Sequence, residues 1–96
     1  MSDDPGPGPL AVDLVVRGRV QGVFFRDSLQ QRAEQTGVGG WVSNEPDGTV
    51  HAHLEGPTDA VRAVAAWAEQ GPADADVSAV DVTEVAVEGH RGFEVR

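Results

Sequence analysis

The run Gly18-Arg19-Val20-Gln21-Gly22-Val23-Phe24-Phe25-Arg26 combines the parts of an anion site. A glycine-bounded loop leads from a β-branched stretch into a helical one, so several backbone N–H groups can turn toward one point. The start of a helix adds the positive end of its dipole. Arg26, just inside that helix, carries a planar guanidinium whose fork matches two phosphate oxygens. The segment reads as a cradle for a phosphoryl group. Gly18 and Gly22 are expected to supply the backbone angles that the cradle requires.

The elements around the loop decide whether anything else can reach it. Leu10 to Val16 is rich in leucine and valine and reads as a first, central strand. From Phe25 to Thr36, Phe25, Leu29 and Ala33 recur every four residues, which predicts a helix with Gly37 as its stop. Gly40 to Ser43 reads as a second strand, and Asn44-Glu45-Pro46-Asp47-Gly48 as a hairpin turn. Thr49 to Leu54 alternates Val50, Ala52 and Leu54 with Thr49, His51 and His53, the pattern of a half-buried third strand.

Gly56-Pro57 opens a second helix in which Val61, Val64, Ala65 and Ala68 share a face, and Gly71-Pro72 ends it. Val80, Val82, Val85 and Val87 mark a fourth strand, whose change of parity predicts a bulge near Thr83. Phe93-Glu94-Val95 adds a short terminal strand. The order β-α-β-β-α-β, with that extra strand, predicts an α+β fold. Two helices should pack on one face of a mostly antiparallel sheet, as in the ferredoxin-like α/β sandwich.

Composition narrows the chemistry. With 96 residues and 40% hydrophobic content, the chain suits one compact domain over residues 10–96 behind a proline-glycine tail at residues 1–9. There is no cysteine, which excludes thiol nucleophiles and zinc-thiolate sites and fits a cytoplasmic setting. No apolar run approaches the ~18 residues of a membrane span. The formal net charge is −9, and all seven basic residues are arginine. That balance argues against nucleic acid and anionic membranes as partners. It also opposes an anionic substrate, so a phosphate site must be a local spot of positive potential. Arg17, Arg19 and Arg26 provide one, although the side chains of Arg17 and Arg19 are expected to face solvent.

Gly18 to Arg26, followed by Gly40-Trp41-Val42-Ser43-Asn44 and Asp47-Gly48-Thr49-Val50, resembles the acylphosphatase family, and the resemblance extends over about residues 10 to 96. It implies hydrolysis of an acyl phosphate to a carboxylate and inorganic phosphate. By this resemblance Arg26 and the amides of Arg19, Val20, Gln21, Gly22, Val23 and Phe24 bind the phosphate. Asn44 orients the attacking water, and neither a cofactor nor a metal takes part. The small acyl phosphate is the expected partner of a monomeric enzyme. An alternative is a phosphate-binding module without useful turnover, since such domains also occur inside hydrogenase maturation carbamoyltransferases. The absence of a zinc-finger or transferase segment after Arg96 favours the enzyme.

The remaining candidates have blander readings. Asn44 could simply start a turn. Gln21 either touches the ligand or fixes the loop, and Phe24 is a candidate wall of the site. Glu45 and Asp47 flank the anion site and are expected to face water as turn residues. His51 and His53 share a strand face at a spacing that could hold a metal. His90 is expected in a distant loop, and a site needs three or four convergent ligands. Solvent-facing histidines are therefore expected. Trp41 and Trp67 read as packing residues.

Overall fold

A computed structural model describes residues 8–96 as a five-stranded sheet with two helices on one face. The elements are β1 (Leu10–Arg19), α1 (Phe25–Thr36), β2 (Gly39–Asn44), β3 (Val50–Gly56), α2 (Thr58–Ala68), β4 (Asp76–Val85) and β5 (Phe93–Val95). The strand order is β4-β1-β3-β2-β5. β3 pairs antiparallel with β1 and β2, β4 antiparallel with β1, and β5 parallel with β2. This is the expected ferredoxin-like sandwich with its extra strand. Each β-α-β crossover skips one position in the sheet, so β1 and β3 lie at the centre, where their apolar faces are covered.

The core lies between the sheet and the helices. Val12, Leu14 and Val16 of β1 meet Val50, Ala52 and Leu54 of β3 and Val42 of β2 beneath Phe25, Leu29 and Ala33 of α1 and Val61, Val64 and Ala68 of α2. Leu29, Ala33, Val42, Val50, Leu54 and Val61 are fully buried. The four-residue spacing on α1 thus puts its small apolar stripe where expected, and Gly37 ends the helix in the left-handed region. Trp67 packs its ring 5.6 Å from that of Phe25. Among the described residues, no helix is long and apolar enough to cross a membrane.

Several local expectations need correction. β1 runs three residues past Val16, so Gly18 and Arg19 belong to the strand rather than to the loop. Gly18 serves close packing of strands: a Cβ there would collide with the main-chain oxygen of Asp76 on β4. The irregularity in the β1–β4 ladder lies between Arg17 and Gly18, not near Thr83, and β4 pairs regularly from Ala79 to Val85. Val87 lies beyond the strand and is exposed. Pro57 caps α2 from outside instead of occupying its first turn. Of the expected tail, residues 1–7 lie outside the described residues; Gly8 accepts a hydrogen bond from the Thr58 hydroxyl at 2.8 Å.

The largest correction concerns the open face of the sheet. His53 is completely buried there rather than solvent-facing, and His90 is its neighbour, with ring centroids 5.2 Å apart. The connection from β4 to β5 must travel from one sheet edge to the other, and it crosses that face over His53 and Glu55. Burial opposes a charge on His53, but hydrogen bonds to Asp13 and Glu55 and the nearby Glu88 carboxylate outweigh it and raise its pKa.

Candidate active site

The loop between β1 and α1 covers residues 20–24 and closes no hydrogen-bonded turn of its own. Two apolar anchors pin it: Val20 and Val23 are buried in the core. Between them Gly22 takes φ 74°, a left-handed conformation that glycine adopts without penalty, in open space. Phe24 then stands immediately before the helix at φ 61°, with its ring 75% exposed. An aromatic residue in that conformation at a helix start defies both local rules. It stores about 1–2 kcal/mol of backbone strain and provides no side-chain cap. The first helical bond runs from the Ser28 N–H to the Phe24 carbonyl at 3.0 Å. The amides of Phe25, Arg26 and Asp27 therefore begin the helix with no turn behind them to accept their hydrogens.

Their residues border a cavity of about 260 Å³ lined by Val20, Gly22, Phe24, Phe25, Arg26, Asp27 and Asn44. Arg26 comes from the first turn of α1 and Asn44 from the end of β2, so two motifs separated in sequence share one wall. A guanidinium nitrogen of Arg26 donates to the main-chain oxygen of Arg96 at 2.6 Å. Arg96 itself is held by its N–H to the Val42 carbonyl at 2.8 Å, and its guanidinium lies 4.6 Å over the Trp41 ring. The Asn44 side-chain oxygen is buried and accepts no hydrogen bond. An orphan acceptor of this kind costs about 1–3 kcal/mol.

Gln21 points away from the cavity. Its side-chain N–H₂ donates to the carbonyls of Glu45 at 2.8 Å and Thr49 at 2.9 Å, which ties the loop to the β2–β3 turn. The turn is itself closed by mutual bonds: Glu45 N–H to Thr49 O at 2.9 Å, and Gly48 N–H to Glu45 O at 3.0 Å. Asp47 accepts from the Thr49 hydroxyl and from the Thr49 N–H, in that order the main reasons its pKa is held below the ordinary carboxylate value. Glu45 accepts from the Ser43 hydroxyl at 2.6 Å. Neither carboxylate lines the cavity.

Of the sequence candidates, Val20, Gly22, Phe24, Arg26 and Asn44 converge on the cavity. Val23 lies beneath the loop, and Gln21 is a strut between loop and turn. Arg19, the last residue of β1, turns its guanidinium to the Asp74 carbonyl at 2.7 Å and toward Asp76. Sequence reasoning missed Asp27 and Arg96. Asp27 could have been found from its place one residue after Arg26. Arg96 had no signal, because only the pairing of β5 with β2 brings it to Arg26.

The acylphosphatase family model matches residues 12–95. An acylphosphatase of Nocardioides sp. is 50% identical over 93 residues, which cover 97% of this chain and 94% of that one. One from Rubrobacter xylanophilus is 55% identical over 86 residues, 88% of this chain and 78% of that one. Among solved structures, an acylphosphatase from Coxiella burnetii superposes with a TM-score of 0.88 at 38% identity, over 92% of this chain and 93% of that chain. Full-length HypF in its phosphate- and nucleotide-bound form gives 0.86 at 25% identity, over 94% of this chain but 12% of that chain.

Proposed function

This chain belongs to the acylphosphatase family and is a hydrolase of that kind, and we propose that it cleaves acyl phosphates by attack of water at phosphorus in the cavity at the start of α1. The observation that carries this reading is the convergence of Arg26, the loop residues and Asn44 on one cavity. The phosphoryl group sits against the amides at the start of α1, and the Arg26 guanidinium meets its oxygens. The bond from Arg26 to Arg96 restrains the guanidinium before substrate arrives. Little ordering remains to be done when charge develops on the transferring group.

Water attacks phosphorus from the side of Asn44, whose side-chain oxygen accepts one of its hydrogens. The new O–P bond forms as the bond between phosphorus and the acyl oxygen breaks, and the carboxylate leaves with the electron pair. The water's remaining extra proton passes to a phosphate oxygen, because an amide is no base. A carboxylate is a good leaving group, so the reaction needs positioning and charge stabilisation more than acid catalysis. Asp27 in the cavity wall and the net charge of −9 oppose capture of an anion, and they place the burden on the local amides and Arg26.

The test is phosphate release from benzoyl phosphate in the presence of EDTA. Wild type turns over, and Arg26→Ala and Asn44→Ala each lose at least ~100-fold in kcat, the usual worth of one preorganised donor or more. Undiminished turnover in both variants removes the site assignment. Phosphate binding without any hydrolysis by wild type would make the chain a binding module instead.

A further inference from the structure

A second constellation occupies the opposite face of the sheet. Asp13 of β1 and His53 and Glu55 of β3 lie on the face away from the helices, and Glu88 and His90 arrive on the crossing between β4 and β5. Asp13 Oδ1 stands 2.7 Å from His53 Nδ1 and accepts its hydrogen bond in the Nδ1–H tautomer. This leaves His53 Nε2 facing Glu55 Oε1 at 3.2 Å and Glu88 Oε1 at 3.8 Å. His90 Nε2 lies 2.9 Å from the same Glu88 oxygen. The ligand atoms of His53, Glu55 and His90 all fall within 4.8 Å of one another.

A neutral imidazole would aim its lone pair at two carboxylate oxygens in a site where His53 and Glu55 are both buried. Such a centre requires positive charge. We propose that His53, Glu55, Glu88 and His90 form a tetrahedral site for a zinc-type divalent cation that fastens the β4–β5 crossing to the sheet. Bonds of about 2.0–2.2 Å in a tetrahedron put neighbouring ligand atoms about 3.3–3.6 Å apart. Three of the six edges, at 2.9, 3.2 and 3.8 Å, bracket that spacing, and the ligand atoms of His53, Glu55 and His90, within 4.8 Å of one another, close on the ion by side-chain shifts of up to about an ångström.

The surrounding groups match what such a site needs. Asp13 fixes the tautomer and orientation of His53, as a carboxylate behind a ligating histidine does. The amides of Glu88, Gly89 and His90 hold the Glu55 carboxylate at 3.0–3.3 Å. Histidine and carboxylate donors suit zinc better than magnesium or calcium, which favour oxygen alone. His53 stands three residues along β3 from Val50, the partner of Asn44, roughly 10 Å of strand, but on the other face, since Asn44 shares the helix-side parity of Val42. The ion is therefore structural and takes no part in hydrolysis, and loss of either site leaves the other measurable.

The test uses the full chain stripped with chelator and dialysed. Zinc titrated at about pH 7.5 should bind one ion per chain by calorimetry, and cobalt should give the intense visible bands of a four-coordinate ion. A hundredfold excess over Kd should raise Tm by ~10–20 °C. His90→Gln and Glu88→Gln, both in the accessible crossing, should fold and weaken binding at least ~100-fold. Asp13→Asn should cost ~10–100-fold, and His51→Gln should change nothing. His53→Gln is avoided as the main variant because it opens a buried position. Two results overturn the proposal: no heat and no Tm shift up to about 1 mM zinc, which leaves a proton as the occupant, or binding unchanged in His90→Gln.

Discussion

The strut made by Gln21 separates two roles that a loop residue beside the proposed phosphate site can have, and Gln21→Ala tests them. The substitution removes two neutral hydrogen bonds, to Glu45 O and Thr49 O. Each carbonyl keeps another donor, Gly48 N–H and Glu45 N–H respectively, so neither is left bare. The loss is then the net worth of two bonds at ~0.5–1.5 kcal/mol each, about 2 kcal/mol together. For a domain of this size that lowers Tm by roughly 8–16 °C. The loop also loses its fixed distance from Asn44, and a misplacement near 1 Å costs on the order of 100-fold in rate. Calorimetry and benzoyl phosphate kinetics on the same preparation read both effects, with kcat falling more than KM rises. Gln21→Glu should be worse than alanine, since a carboxylate would face two carbonyl oxygens. An unchanged Tm together with lost phosphate affinity would show that Gln21 touches the ligand and that the strut argument is wrong.

Two smaller perturbations probe the same region. Phe24→Gly should raise Tm by several degrees, because it releases ~1–2 kcal/mol of left-handed strain while the ring it deletes is 75% exposed; a lower Tm would mean that the ring supports the loop. The pKa of Asp47 is lower in the folded chain, first through the Thr49 hydroxyl and then the Thr49 N–H. Its contribution to stability is therefore present above the ordinary carboxylate pKa and lost as pH falls through the lower folded value. Urea midpoints between about pH 5 and pH 2 should show a shallower acid decline in Asp47→Asn, and parallel curves would count against the turn bonds.

Much of the molecule was legible because the relevant forces are local. α1 runs from Phe25 to Thr36 as its four-residue spacing demands, and Arg26 falls in its first turn. The hairpin at Asp47-Gly48 brings β2 and β3 together, and the turn bonds of Asp47 and Thr49 form within a few residues. The loop composition also foretold a concave site, since Gly22 takes the positive φ that its place requires. Gly18 misled the reading because a glycine that avoids a collision with a neighbouring strand has the same sequence signature as one that bends a loop.

By itself, then, the sequence determined the elements, the apolar face of each, and the two motifs that meet at the candidate site, because periodicity and turn chemistry act over a few residues. Tertiary structure decided what lay across those faces. Alternation placed His53 on the open side of β3, yet only the path of the β4–β5 crossing turned that side into an interior. The same long-range pairing put Arg96 beside Arg26 and the Gln21 amide beneath the β2–β3 turn. Such contacts join residues 24 to 70 positions apart in the chain, where no local pattern records which strand edge the backbone will meet.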